Sequence, residues 1–260
     1  MTVSENVGYR FLFGTIFLSP IFLRPSTVVR DRRSWLLLLA ASVIGVPVQF
    51  LLQFKGLQLT TVSHASLIVG TLPVLLALSS AIFFKDRLSK LEMGLMLMSA
   101  AGAVLIALGN NSSSSGSQPT LTGDLLVLLS MFAALVMILI TKHLIAEYGS
   151  LQITALMIGL GTLILLIWIE ATHPIRFHFS RIVWIAVIAQ GILATFAAYL
   201  CWNWGLSRVP AGRAGVFLNL EPVVGSILGV AILHETLGSL GIVGGAMILV
   251  SAVYFSRRAQ

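Results

Sequence analysis

Eight stretches of this chain, 34–54, 62–84, 91–109, 121–141, 151–169, 181–204, 209–233 and 237–255, are apolar almost all round. Each meets or approaches the roughly 20 residues that a helix needs to cross a bilayer. Length decides the assignment, because runs without a polar face carry little periodicity. A ninth run, 7–23, is shorter, carries Tyr9 and Arg10 near its start and stops at Arg24-Pro25. It is counted as a span, since the arginine can snorkel to the interface. Of the 260 residues 57% are apolar and 10% charged, against about 25% charged in a soluble domain. Too little polar surface exists to cover such a core in water, so lipid is the solvent for most of the chain.

The formal charge of +7 does not point to nucleic acid, because the basic residues lie between apolar spans rather than on one face. They sort by side instead. Arg24, Arg30, Arg32, Arg33, Lys85, Arg87, Lys90, Lys142, Arg208, Arg213, Arg257 and Arg258 fall on loops 24–33, 85–90, 142–150 and 205–213 and the tail, twelve of the 16 Lys and Arg. Only Arg10, Lys55, Arg176 and Arg181 fall on the other side. The bias places the first set and the carboxyl terminus in the cytoplasm and, with nine spans, the amino terminus outside. The single cysteine, Cys201, excludes an intrachain disulfide and a thiolate metal cluster. No secretory signal is evident, since no Lys or Arg precedes the first apolar run.

The chain also matches itself at an offset of 149 residues: Trp35 with Trp184, Gly56 with Gly205, Leu57 with Leu206, Ala65 with Ala214, Pro73 with Pro222, Asp86 with Glu235 and Leu88 with Leu237. The expected division is 1–109 for the first copy, 110–120 for a linker and 121–260 for the second. The linker, NNSSSSGSQPT, is uncharged and too polar to fold by itself. Asn110 and Asn111 each begin an N-x-S sequon. The second copy holds five spans and the first four, since the partner of 121–141 would precede residue 1. Matched spans therefore cross in opposite directions: 34–54 runs outward and 181–204 inward. Such inverted duplication is the sequence sign of many secondary transporters.

Three segments resemble the EamA repeats of the drug/metabolite transporter superfamily. ASLIVGTLPVLLALSSAIFFKDRLS within 56–88 resembles the first repeat, GDLLVLLSMFAALVMILITKHL at 123–144 the opening helix of the second, and AGVFLNLEPVVGSILGVAILHETLG at 214–238 its closing part. The resemblance implies an all-α membrane fold of ten helices in two inverted repeats, of which this chain shows nine without the first. It also implies a permease without a cofactor, set in a bacterial inner membrane, whose partners are a small-molecule substrate, the bilayer and a second copy through its last helix. Export of amino acids, amines, metabolites or drugs by alternating access is the expected activity.

Glu221 is the outstanding polar residue of the spans. It sits midway along 209–233, directly before Pro222, with no charge within seven residues, and its partner in the other copy is Leu72. A central charge costs roughly 2.5–3.5 kcal/mol on insertion scales, and Pro222 removes a backbone hydrogen bond beside it. Two readings stand: a carboxyl that binds a proton or cationic solute, or a protonated carboxyl that ties two helices together. The resemblance favours the first, since a Glu-Pro pair is frequent here in the family.

Asn219, Gln49, Gln53, Gln190 and Asn203 either line a solute path or bond helix to helix. Tyr199 and Trp202, one turn apart, either form an aromatic wall or, with Trp204, sit as packing and interface anchors. His64 and Arg213 occupy matched positions at span starts, as gates or as solvated ends. Asp86 and Glu235 suit the capping of a following helix. Glu170, His173 and His178 make only a weak metal signal, so no metal is expected. Pro73, Pro222 and the GxxxG pairs Gly225/Gly229 and Gly241/Gly245 suit close helix packing; the resemblance implies dimer contact for the last pair. An intramembrane enzyme is disfavoured, since HExxH, GxSxG and paired aspartates are missing, and the lack of a Walker motif excludes ATP-driven export by this chain alone. A non-transporting subunit, scaffold or sensor is the alternative.

Overall fold

Apolar runs that find no water must satisfy every backbone group internally, and the described residues of this chain do so with helices alone. The computed structural model describes residues 1–22, 29, 31–84, 89–109, 120–172, 176–233 and 238–258. Among these the elements in order are α1 (Val3–Phe22), α2 (Arg32–Val43), a π-helical segment (Ile44–Val48), α3 (Gln49–Leu59), α4 (Val62–Val69), α5 (Leu72–Phe83), α6 (Lys90–Gly109), α7 (Leu121–Tyr148), α8 (Ser150–Thr172), α9 (Arg181–Gln190), a second π-helical segment (Gly191–Ala197), α10 (Ala198–Leu206), α11 (Ala211–Gly215), a 3-10 turn (Val216–Asn219), α12 (Leu220–Leu233) and α13 (Ser239–Arg258). Among the described residues six continuous helices are long and apolar enough to cross a membrane: Arg32–Leu59, Lys90–Leu108, Leu121–Tyr148, Ser150–Thr172, Arg181–Leu206 and Ser239–Arg257.

Two expected spans are broken rather than straight. The 62–84 run divides into α4 and α5 at Gly70-Thr71, and 209–233 divides into α11, the 3-10 turn and α12. Pro73 and Pro222 account for both breaks. A proline lacks the N–H and its ring displaces the carbonyl four residues earlier, which is Val69, the last residue of α4, and Leu218, inside the 3-10 turn. The π-helical segments end at Val48 and Ala197, which are 149 residues apart like the matched residues of the sequence. Pro47 explains the first; its counterpart, Phe196, is no proline, and the second segment starts at Gly191.

The chain forms two compact units. The first is residues 1–55 with 132–207 and the second 56–131 with 208–260, so each draws on both copies of the sequence repeat. In the first unit α1 lies against α8 and against the α9–α10 helix, while α2 and α10 also pack on α8. Phe11, Leu18, Leu38, Ile153, Met157, Ile158 and Leu165 are its fully buried centre. The approach of α1 is close: a Cβ on Gly14 would stand 2.7 Å from Thr195 Cβ and 3.3 Å from the Gly191 carbonyl.

In the second unit α6 packs along α13, and α5 along α11. Ala77, Met96, Val216 and Phe255 form one buried cluster, and Ala103, Ile106, Val223 and Ile248 another. Ile82 and Phe83 of this unit, and Ile182, Ile185 and Leu193 of the first, are each at least two-thirds exposed. Water would penalise such surface, whereas lipid tails accept it.

Candidate functional site

Polar groups on apolar helices mark where function is built, because each must be compensated. In the first unit the main one is Arg10. Its Nε donates to Thr195 Oγ1 at 3.0 Å and its Nη2 to the Ala194 carbonyl at 3.2 Å. The guanidinium carbon lies 5.2 Å from the Phe11 ring centre and 4.8 Å from that of Phe50. Both oxygens belong to the second π-helical segment, where a wider turn loosens the carbonyl ladder. Thr195 stands fourteen residues from Arg181 and eleven from Leu206, the middle of a helix long enough to cross the bilayer. Arg10 therefore reaches mid-helix and does not snorkel to an interface as the sequence suggested.

Around this group Tyr199 is half-buried, its ring edge-on to Phe11 at 6.3 Å. Gln49, first residue after the other π-helical segment, is buried, and its Oε1 has no hydrogen-bond partner among the described residues. Gln190 is exposed one turn before Ala194, and Gln53 is half-buried. Asn203 instead serves the packing of α10 on α8, its Nδ2 donating to Thr154 Oγ1 at 2.7 Å in a fully buried pair. Trp202 is half-buried and Trp204 exposed.

In the second unit Asn219 ends the 3-10 turn and donates from Nδ2 to Ser99 Oγ at 2.9 Å, fixing the broken helix to α6. Glu221, two residues later, is exposed in the first turn of α12. The break thus places a buried amide and an open carboxyl side by side in sequence, while Leu72, the counterpart of Glu221, is buried.

His64 and Arg213 each meet an acid in the first turn of another helix. Arg213 Nη2 lies 2.9 Å from Glu92 Oε1, and Glu92 is 1% exposed. Glu92 also caps α6 reciprocally: its Oε2 accepts from Ser89 N at 2.7 Å and its own N–H donates to Ser89 Oγ at 3.2 Å. His64 Nδ1 lies 3.1 Å from Asp124 Oδ2, and Thr60 Oγ1 donates to the other carboxylate oxygen. A third pair closes the amino end of α1. Arg176 donates from Nε and Nη2 to Glu5 at 2.8 and 3.0 Å, Glu5 caps α1 with Thr2, and the Tyr9 hydroxyl donates to the Arg176 carbonyl. The Arg176 guanidinium holds the Glu5 carboxyl down at about 2, its hydrogen bonds outweighing burial.

Of the glycines paired in the sequence, Gly225 and Gly245 make no close helix contact within the chain. A Cβ on Gly225 or Gly245 would meet nothing within 4 Å, whereas one on Gly102 would lie 2.6 Å from the Gly244 carbonyl oxygen. Gly241 is buried in α13. Asp86, His173, Glu235, residues 110–119 and the Gly229 contacts lie outside the described residues. His178 and Glu170 are exposed, and no group of three or more potential metal ligands occurs among the described residues. Sequence reasoning missed Thr195, Glu92 and Asp124 as partners. The capping patterns T-x-x-E at 2–5 and S-x-x-E at 89–92 were available signals.

Comparison with known proteins agrees with this architecture. A transporter of Archaeoglobus fulgidus without a characterised substrate is 25% identical over 97% of this chain and 86% of its own length. The Bacillus subtilis transporter YetK is 24% identical over 93% and 74%. A probable terminal-alkyne amino-acid exporter of Streptantibioticus cattleyicolor is 25% identical over 75% and 64%. A solved crystal structure superimposes with a TM-score of 0.81 at 19% identity, covering 98% of this chain and 89% of the other, which shows the shared fold. The model of the EamA-like transporter family matches residues 1–108 and 121–257, so this chain is an integral-membrane protein that belongs to that family.

Proposed function

We propose that the chain is a secondary transporter that exports small organic solutes by alternating access, coupled to protons through Glu221. Nine spans in two inverted repeats, 1–109 and 121–260, carry it, with the carboxyl terminus in the cytoplasm of a bacterial inner membrane. One observation carries the topology. Among the described residues, the following polar contacts between helix ends join groups that the Lys and Arg count assigns to one side. Glu5 meets Arg176, and Thr60 and His64 meet Asp124, all on the outer side. Arg213 meets Glu92, and Lys142 donates to the Leu206 carbonyl, all on the cytoplasmic side. Counting α1, α4–α5 and α11–α12 as crossings is what makes these sides agree.

Polar groups at depth on broken or π-wound helices support solute handling, since transporters bind at interrupted helices near the midplane. The exporter from Streptantibioticus cattleyicolor supports outward movement and an amino-acid-like solute. An exposed carboxyl beside the break at Pro222 supports proton exchange there. Solute-driven proton flux in liposomes tests the coupling: Glu221→Gln abolishes flux and leaves the protein folded. Equal flux in both forms removes Glu221 from the coupling role.

A further inference from the structure

We infer that α4, the outer half of the broken 62–84 span, is fastened by a proton-sensitive latch in which Asp124 bridges Thr60 and His64. Its counterpart in the repeat, α11, is fastened instead by a pair that keeps its charge. That the first latch faces the outside rests on the proposed topology; its response to pH does not. A helix of eight residues is too short to stand alone. Cut off from α5 at Gly70-Thr71, α4 packs along α6, and its first turn is met by the amino end of α7. Thr120 donates from N and Oγ1 to the Leu59 carbonyl at 3.1 and 2.6 Å. Gly123 sits so near that a Cβ there would stand 2.6 Å from the same oxygen. This close seat sets Asp124 over the corner between α3 and α4. One carboxylate oxygen accepts from Thr60 Oγ1, and the other lies 3.1 Å from His64 Nδ1. Thr60 and His64 stand on either side of the corner, so a single carboxylate spans it.

Histidine is the side chain whose charge ordinarily changes between about pH 5 and 8. With the ring protonated the contact is charge-assisted; with the ring neutral it is an ordinary hydrogen bond, roughly half as strong. The latch is therefore tight in acid and slackens as pH rises. The elements around it offer no second titrating partner. No ionisable group lies between Met93 and Gly109 of α6, between Leu125 and Thr141 of α7, or in α5. In α3 the one charged residue is Lys55, exposed a turn before Leu59. At the matched position, 149 residues on, stands Arg213, with Nη2 2.9 Å from Glu92 Oε1 and Glu92 1% exposed. Arginine does not lose its proton in a protein. The two half-helices thus carry a switchable fastening at one end of the unit and a permanent one at the other. In an exporter the switchable end is the one where solute leaves.

The test is hydrogen exchange on the full-length protein in mild micelles at about pH 5.5 and about pH 8, each amide corrected for its chemical rate. Protection of residues 65–69 falls about two- to fivefold from the lower pH to the higher, the worth of a part-exposed ion pair. Protection of Ala214 and Gly215 stays level. His64→Gln flattens the response, and His64→Arg keeps protection high at both values. Asp124→Asn also flattens it, and serves where a variant at position 64 does not fold. No response in the wild type, a response that persists in His64→Gln or Asp124→Asn, or an equal response at Ala214 and Gly215 overturns the latch. Sidedness has its own readout: Gln58→Cys, exposed in the last turn of α3, is labelled in intact cells by an impermeant maleimide in a Cys201→Ser background. Labelling only after permeabilisation leaves the latch standing and overturns its outer placement.

Discussion

Replacing Gly102 by alanine puts a methyl group where α6 meets α13. The new Cβ would stand 2.6 Å from the Gly244 carbonyl oxygen, 2.9 Å from Ile248 Cγ1 and 3.2 Å from Met247 Cβ. Ordinary contact begins at 3.4 Å, so the two helices must part by roughly 0.8 Å, the difference of the two distances. A gap of this size forfeits about a quarter to a half of each dispersion contact. Ala103, Ile106, Val223 and Ile248 share that interface. Overpacking of this kind costs about 1–3 kcal/mol. Gly245→Ala in α13 is the matched control, because its Cβ meets nothing within 4 Å. Both changes gain the same helix propensity, which cancels when they are compared. Denaturant unfolding in mild micelles therefore finds Gly102→Ala less stable than Gly245→Ala by about 1–3 kcal/mol. Equal stabilities, or a larger loss at Gly245, refute the packing argument. A lost dimer with unchanged unfolding in Gly245→Ala places that residue at a contact between copies.

Arg213→Gln removes the guanidinium that faces the buried Glu92 carboxylate, costing about 1–3 kcal/mol in the same unfolding assay, and Glu92→Gln added to it restores part of the loss. Because the folded-state value of Glu5 is lowered, its contribution to stability is complete above about 4.5 and is lost as pH falls towards about 2. Hydrogen exchange at the amino end of α1 rises over that window, and Arg176→Gln removes most of the pH dependence. Asn219→Ala releases the 3-10 turn from Ser99 and lowers stability by about 1 kcal/mol or more, whereas Glu221→Gln, at an exposed position, leaves the unfolding midpoint unchanged.

The long apolar runs were legible in the sequence because bilayer thickness fixes their length, and 151–169 and 181–204 stand within the helices Ser150–Thr172 and Arg181–Leu206. Pro73 and Pro222 announced the two breaks through their missing N–H groups. Arg10 was misread, since a charge near a span's start ordinarily reaches for the interface. Only the second π-turn, at Phe196 where its counterpart has Pro47, reveals the oxygens that hold it deeper. Within the chain no neighbour comes close at Gly225 or Gly245, because glycine spacing tells which backbones can approach, not which face a neighbour covers. The close contact falls to Gly102 and Gly244, which no short motif links.

Transport itself is tested most directly in proteoliposomes loaded with a mixture of amino acids, amines and organic acids, with release followed by mass spectrometry under an imposed proton gradient. Wild-type protein is expected to speed the exit of a distinct set of solutes over protein-free vesicles, and Glu221→Gln is not. Identical release of every solute with and without protein contradicts it.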